Sequence, residues 1–314
     1  VQELTMTLWQ HYYYPETVEE ALERLRAHDG NARIIGGGTD LLLEMQQGRK
    51  PAVEALIDVT AIPSLHTLQL ENDIVEIGAA VTHTEIVKAP FMAQHATCLV
   101  ESCGVIGGPQ VRNVATLGGN VAHALPAADG TTALVVLDAE VEVAGRFGRQ
   151  WQPILSLFKG PGISAIDHSR EMITRFRFGA AAPNTGSAFK RIMRPQGVSL
   201  PILACAVWVR VAPGQDHGSP DAAVIEEARI CIGPVRPVPT RARQAERALA
   251  GHSLAGGLER AIAGAQSEFS PRTSKHRATA EYRVEMIAVL LQRALPLAVR
   301  RALTGIAEPE GIGL

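Results

Sequence analysis

The sequence predicts an α+β chain in three successive parts, and three stretches carry that prediction. RIIGGGTDLLLEM at 33–45 places a triple glycine where a β-branched strand gives way to a leucine-rich helix. TLGGN at 116–120 repeats the device further along, with a hydroxyl, two glycines and an amide within five positions. ILACAVWVRVA at 202–212 and EARICIGPV at 227–235 read as neighbouring strands of an antiparallel sheet, which sets the last third apart from what precedes it.

In order along the chain, ETVEEALERLRAH (16–28) puts Val18, Ala21, Leu22 and Leu25 on one helical face, and Thr17 with Glu20 has the spacing of a capping box. A short strand at 33–35 leads through the glycines into a helix at about 39–47 that Gly48 stops. A second strand at 52–59 completes a β-α-β-like block. IVEIGAAV (74–81) is a strand, Thr82 and Glu85 mark a capped helix start, and a helix follows near 90–103. LDAEVEVAG sets Val141 and Val143 against Glu140 and Glu142 as a half-buried strand, and ITRFRF (173–178) alternates with Phe176 and Phe178 on one face. After the loop AAAPNTG come the strands SAFKRI, 202–212 and 227–235. A Pro-rich turn precedes a helix within 235–251, and two more helices lie near 253–265 and 279–303.

Composition narrows the function classes. The chain has 314 residues, 46% hydrophobic and 20% charged, with a formal net charge of −2, so no electrostatic footprint points to nucleic acid or an anionic membrane. The N-terminus shows no basic stretch followed by an apolar run, so no secretory signal is expected, and a cytoplasmic location is. Glu285, Arg293, Arg300 and Arg301 make the apolar C-terminal stretch an amphipathic helix rather than a membrane span. Cys98, Cys103, Cys205 and Cys231 form no C-x-x-C pair and read as buried thiols. Cys98 and Cys103 echo two ligands of an iron–sulfur cluster, but the further cysteines are absent. The ten histidines form no metal-binding pattern, so no metal is expected in this chain.

The glycine loops carry the chemistry. Glycines let a ligand approach backbone N–H groups closely, and a helix N-terminus behind them adds partial positive charge, which together cradle an anion such as phosphate. Gly36, Gly37, Gly38 and Thr39 fit that description, and Thr116, Gly118, Gly119 and Asn120 form the second candidate. Two such loops suit a diphosphate gripped from both sides. Asp129 opens the apolar helix DGTTALVVL, either to hold a ribose hydroxyl or to cap the helix. Neither loop is a Rossmann or P-loop fingerprint, so spacing and physics alone support a phosphorylated ligand without naming it.

IIGGGTDLLLEM, GGPQVRNVATLGGNVAHALPAADGTTALVVLDAEVEV, SAFKRIMRPQG and ATAEYRVEMIAVLLQRAL occur in one order over about residues 7–305. In that combination the chain resembles the FAD-binding medium subunit of the molybdenum hydroxylases, the family of xanthine dehydrogenase and aerobic carbon monoxide dehydrogenase. The resemblance implies a two-subdomain FAD-binding fold of the flavin-subunit, non-Rossmann type, at 1–60 and 61–180. A C-terminal α+β domain with an antiparallel sheet would follow at 186–305. It implies noncovalent FAD, with Ile34, Ile35, Gly36, Gly37, Gly38, Thr39 and Asp40 along the diphosphate and ribityl chain. Thr116, Gly118, Gly119 and Asn120 would meet the diphosphate from the other side, Ile106, Gly107 and Asp129 the adenosine half, and His123 would lie on the ligand side of the second loop. Ile173 and Lys190 match positions near the flavin. Outside the family pattern, Asn120 reads equally as a turn cap, His123 as a loop residue and Lys190 as a solvated strand charge. Two departures stand out: Ala124-Leu125-Pro126 lacks the family's small hydroxyl residue, and the Cys-rich insertion of some relatives is missing.

The same resemblance implies an electron-transfer subunit with no acid–base catalytic residue of its own. A large partner subunit would carry the molybdenum cofactor and a small one two [2Fe-2S] clusters, as a dimer of heterotrimers, with NAD+, oxygen or another acceptor receiving the electrons. The competing readings are a self-standing flavin oxidase and a non-enzymatic phospholigand-binding assembly subunit.

Overall fold

The structure, a computed structural model, describes residues 7–194, 200–214, 219–275 and 277–312. The first six residues, part of the stretch read for a leader, and the PQG end of the SAFKRIMRPQG motif lie outside them. The chain opens with β1 (His11–Tyr13), α1 (Val18–Ala27), β2 (Ala32–Ile35), α2 (Thr39–Gln46) and β3 (Ala55–Asp58). The three strands form a parallel sheet in the order β1-β3-β2. Helix α1 buries the four apolar residues its periodicity selects, each contributing roughly 1.5–3 kcal/mol where a large side chain is covered. Its cap differs from the expected box. Thr17 accepts from the Glu20 N–H, but the Glu20 carboxylate takes the N–H of Glu16 instead of closing on Thr17. At α2 the chain turns through Gly38, whose φ of +67° lies in the left-handed region.

A second part follows: β4 (Leu68–Glu71), β5 (Ile74–Gly78), α3 (His83–Lys88), α4 (Pro90–His95), α5 (Thr97–Gly104), α6 (Pro109–Arg112), α7 (Leu117–Ala122) and α8 (Asp129–Val136). It ends in β6 (Glu140–Gly145), β7 (Gly148–Pro153), β8 (Phe158–Gly160), β9 (Ile163–Ser164) and β10 (Met172–Gly179). Five strands pair as β4-β5-β10-β6-β7, and β8 pairs with β9. The helix expected near 90–103 is two helices that break at Ala96, whose φ of −147° is not helical. Thr82 and Glu85 form a complete capping box at the start of α3. Strand β6 is not half-exposed as its alternation suggests: Glu142 is buried. Thr174 donates to its carboxylate at 2.6 Å, and Arg175 binds it through Nη2 at 2.8 Å and Nε at 3.2 Å. Burial pushes that carboxyl up, but the hydrogen bonds from Arg175 and Thr174 outweigh it and hold it below the usual range.

The last part contains β11 (Thr185–Ile192), β12 (Leu203–Val211), β13 (Val224–Gly233), α9 (Arg243–Leu249), β14 (His252–Ser253), α10 (Leu254–Glu268) and α11 (Ala280–Thr304). Its antiparallel sheet runs β11-β12-β13-β14. The run at 202–212 is apolar on both faces because both are covered. Leu203, Cys205 and Val207 pack with Ile287, Leu290 and Leu291 of α11 in one core, while Ala204, Ala206 and Cys231 join a second core with Leu99 and Leu134. Arg301, read as part of the polar stripe of α11, is buried instead. Its Nη2 lies 2.7 Å from Glu101 Oε1 and its Nη1 donates to the Ser187 carbonyl at 2.7 Å. All four cysteines are buried free thiols.

Candidate functional site

The first glycine loop rests directly on the chain just before and within the second. A Cβ at Gly37 would stand 2.0 Å from the Val114 carbonyl oxygen, and one at Gly36 would stand 3.2 Å from Thr116 Oγ1. The three glycines therefore have separate jobs: contact at Gly36 and Gly37, and a left-handed turn into α2 at Gly38. Helix α2 has no side-chain cap at Gly38, which leaves its first-turn N–H groups for a ligand. Helix α7 is capped by Thr116, whose Oγ1 accepts from the Gly119 N–H at 3.0 Å, while the hydroxyl proton remains available as a donor.

Between the loops opens a cavity of about 380 Å³, within the span of small-molecule sites. It adjoins a smaller chamber of about 130 Å³; Arg33, Ile34, Gly36, Thr116, Gly119, Ala122 and His168 line both. Three buried polar atoms on the wall of the larger cavity have no hydrogen-bond partner: Asn120 Oδ1, Asp129 Oδ1 and His83 Nδ1. Most buried polar atoms are paired, so three orphans on residues of one cavity wall mark that wall as unusually polar beneath its surface. Asp129 is the first residue of α8 rather than its cap, and its Oδ2 accepts from Arg191 Nη1 at 2.7 Å. Burial pushes the Asp129 carboxyl up to about 6 although Arg191 pulls it down. Burial, and then the charge of Arg112, lowers the His83 imidazole to about 4.

Fourteen of the residues singled out by sequence line the larger cavity: Ile34 through Asp40, Ile106, Gly107, Thr116, Gly119, Asn120, His123 and Asp129. Gly118 and Ile173 line the smaller chamber. Gly118 packs so tightly that a Cβ there would meet the Ala79 carbonyl oxygen at 2.6 Å. His123 also ties the two halves together, with Nε2 3.2 Å from Glu44 and Nδ1 3.5 Å from Asp40, both on α2. Lys190 lines neither chamber; its Nζ lies 2.8 Å from Glu310. The pleat of β11 explains this, because adjacent side chains point to opposite faces and Arg191 is the one turned to the cavity. Arg191, His83, His168 and Lys50 are among the polar lining residues that sequence reasoning missed. Only Arg191 left a usable signal, as a cation next to a residue already singled out.

Two touching glycine loops line one cavity, and neither carries a Rossmann fingerprint. The family model described as the FAD binding domain in molybdopterin dehydrogenase matches residues 5–180, and the CO dehydrogenase flavoprotein C-terminal domain matches residues 187–298. The chain belongs to this family of FAD-binding oxidoreductase subunits of the xanthine and carbon monoxide dehydrogenase type. It is 28% identical to the xanthine dehydrogenase FAD-binding subunit of Escherichia coli O157:H7, over 93% of this chain and 96% of the relative. To the carbon monoxide dehydrogenase medium chain of Hydrogenophaga pseudoflava it is also 28% identical, over 92% of this chain and 97% of the relative. The solved structure of carbon monoxide dehydrogenase from the same organism matches with a TM-score of 0.84 at 28% identity, covering 93% of this chain and 97% of that one. No helix among the described residues is long and apolar enough to cross a membrane.

Proposed function

We propose that this chain holds FAD noncovalently and serves as the electron outlet of a multi-subunit molybdenum hydroxylase. Electrons would arrive from [2Fe-2S] clusters on a small partner subunit, themselves fed by a molybdenum cofactor on a large one, in a dimer of heterotrimers. NAD+, oxygen or another acceptor takes them away. The relatives bear names of subunits and medium chains, which supports an assembly of this kind. The observation that carries the reading is the contact of Gly36 and Gly37 with Val114 and Thr116 beside a cavity that both glycine loops line.

The residues present fit the cofactor. The N–H groups of the first turn of α2, the Thr116 hydroxyl and the Gly119 region bracket the diphosphate. Asn120 and Asp129 line the same cavity and are the polar side chains nearest in kind to what the hydroxyls of the ribityl chain and the ribose require. Ile106 and Val111 offer an apolar slot for adenine, and Ile166, Met172 and Ile173 give the smaller chamber the apolar walls a flavin ring needs. The N-terminal parallel sheet and the five-stranded sheet act as the two jaws, with His123 bridging them through Asp40 and Glu44. Bound FAD supplies the junction between single-electron and paired-electron transfer, while the protein supplies position and electrostatics. No residue here serves as an acid–base catalyst.

The test is direct. The purified chain is expected to be yellow, to release its flavin into the supernatant on acid precipitation, and to co-purify with partners that contain Mo and Fe. A colourless chain that does not bind added FAD, flavin retained in the pellet, or full dehydrogenase activity from the isolated chain would each overturn the reading.

A further inference from the structure

The first jaw turns two negative charges toward the second. Asp40 and Glu44 stand four residues apart on α2, so their carboxylates share a face of the helix. His123 meets them from the other jaw. It ends α7, and its N–H donates to the Gly119 carbonyl at 3.0 Å, which fixes it to the second glycine loop. Each ring nitrogen faces a carboxylate of the opposite jaw: Nε2 lies 3.2 Å from Glu44 Oε1, and Nδ1 lies 3.5 Å from Asp40 Oδ2. Lys50 Nζ holds the other oxygen of Glu44 at 2.9 Å. Burial pushes the Glu44 carboxyl up, but the hydrogen bonds from Lys50 and His123 outweigh it and hold it below the usual range.

This geometry separates the two charge states of the ring. An imidazolium donates through both nitrogens and so serves Glu44 and Asp40 together. A neutral imidazole has a single N–H and turns a lone pair toward the second carboxylate. Histidine changes charge between about pH 5 and 8, so the contact between the jaws depends on a proton. The electrostatics of the cavity run the same way. Asp40 lies in the first turn of α2, beside the N–H groups left open to a ligand, and both Asp40 and His123 line the larger cavity. A bare carboxylate there repels an anion, and an imidazolium 3.5 Å away offsets it.

We propose that His123 is a positioning residue whose protonated ring latches α2 onto the second glycine loop and offsets Asp40, so that protonation tightens the clasp on an anionic ligand. The inference rests on the FAD reading above, which supplies that anion. By linkage, binding of the dinucleotide draws a fraction of a proton from the buffer onto this ring.

The test titrates FAD into the flavin-free full-length chain at about pH 5.5 and about pH 8.5, for wild type, His123→Gln and His123→Lys. Gln keeps a donor without the charge; Lys keeps the charge at both pH values. Arg33, Arg191, His83, His168 and Asp129 line the same cavity, and Asp129 acts in the opposite sense below about pH 6. All are common to the three chains, so wild-type affinity divided by that of His123→Gln isolates the His123 ring. That ratio should fall by roughly three- to tenfold from the acid to the alkaline pH, the worth of one or two partly exposed ion pairs. The same ratio for His123→Lys should stay constant. A second arm needs no ligand: a double-mutant cycle of His123→Gln with Glu44→Gln, read by denaturant unfolding, should show a coupling roughly threefold larger in the unfolding constant at the acid pH. The inference is overturned if the wild-type ratio changes by less than about twofold, if His123→Lys follows wild type, or if the coupling is the same at both pH values. Should the wild-type chain bind no FAD at either pH, the FAD reading fails and the claim about the ligand with it, while the ligand-free arm still decides whether the ring latches the jaws.

Discussion

Gly37→Ala strikes the clasp at its tightest point. The added Cβ would meet the Val114 carbonyl oxygen at 2.0 Å, its carbonyl carbon at 2.5 Å and Ala115 Cα at 2.8 Å. All three are backbone atoms, so no flexible side chain can swing aside. To reach the 3.0 Å that real Cβ atoms keep, the two loops must part by about 1 Å, a strain that costs roughly 1–3 kcal/mol in packed structure. For a chain of this size the melting temperature should fall by roughly 2–10 °C. The cofactor feels the movement more sharply, because a diphosphate held from both sides loses one or more hydrogen bonds to charged oxygens, about 1.5–3 kcal/mol each. FAD affinity should therefore weaken by roughly ten- to a hundredfold, read by flavin fluorescence on titration into the flavin-free chain. Gly179→Ala is the control: nothing lies within 4 Å of its Cβ position, and its φ is not among the positive ones. If Gly37→Ala binds FAD within about twofold of the control, the diphosphate does not lie between the loops and the reasoning is refuted.

Three further outcomes follow from buried groups. Asp129 has a folded pKa of about 6 against an ordinary 3.8, so the ligand-free fold binds its proton more tightly than the unfolded chain does. This group's contribution to stability therefore falls by roughly 3 kcal/mol as pH rises from about 4 to 6, then levels off. FAD affinity should run the opposite way, weakening below about pH 6 as the accepting carboxylate is protonated, and Asp129→Asn should flatten that profile in a binding titration. Arg301→Leu leaves the buried Glu101 carboxylate without its cation, which costs about 3–5 kcal/mol and should lower the melting temperature by roughly 10 °C; an unchanged midpoint would show the pair to be dispensable. Thr82→Ala removes the cap of α3 and should cost about 0.5–2 kcal/mol in denaturant unfolding.

What the sequence could and could not reveal divides along sequence separation. The glycine loops were legible because the signal is local: a turn, a hydroxyl and a helix start within a few positions. The antiparallel sheet of the last part was legible because β12 and β13 are long, β12 is largely apolar on both faces and β13 ends in a buried run from Ile230 to Gly233. Strand β1, three residues of His-Tyr-Tyr, escaped because so short an element has no period to detect. The misread charges share another cause. Glu142 looks like the wet side of an alternating strand, and Arg301 like the polar stripe of an amphipathic helix, because alternation reports polarity and not what covers it. Their partners, Arg175 and Glu101, lie 33 and 200 positions away. The cavity obeys the same rule. Arg191 and Lys190 are neighbours in sequence and opposites in space, and no motif could choose between them without the pleat of β11.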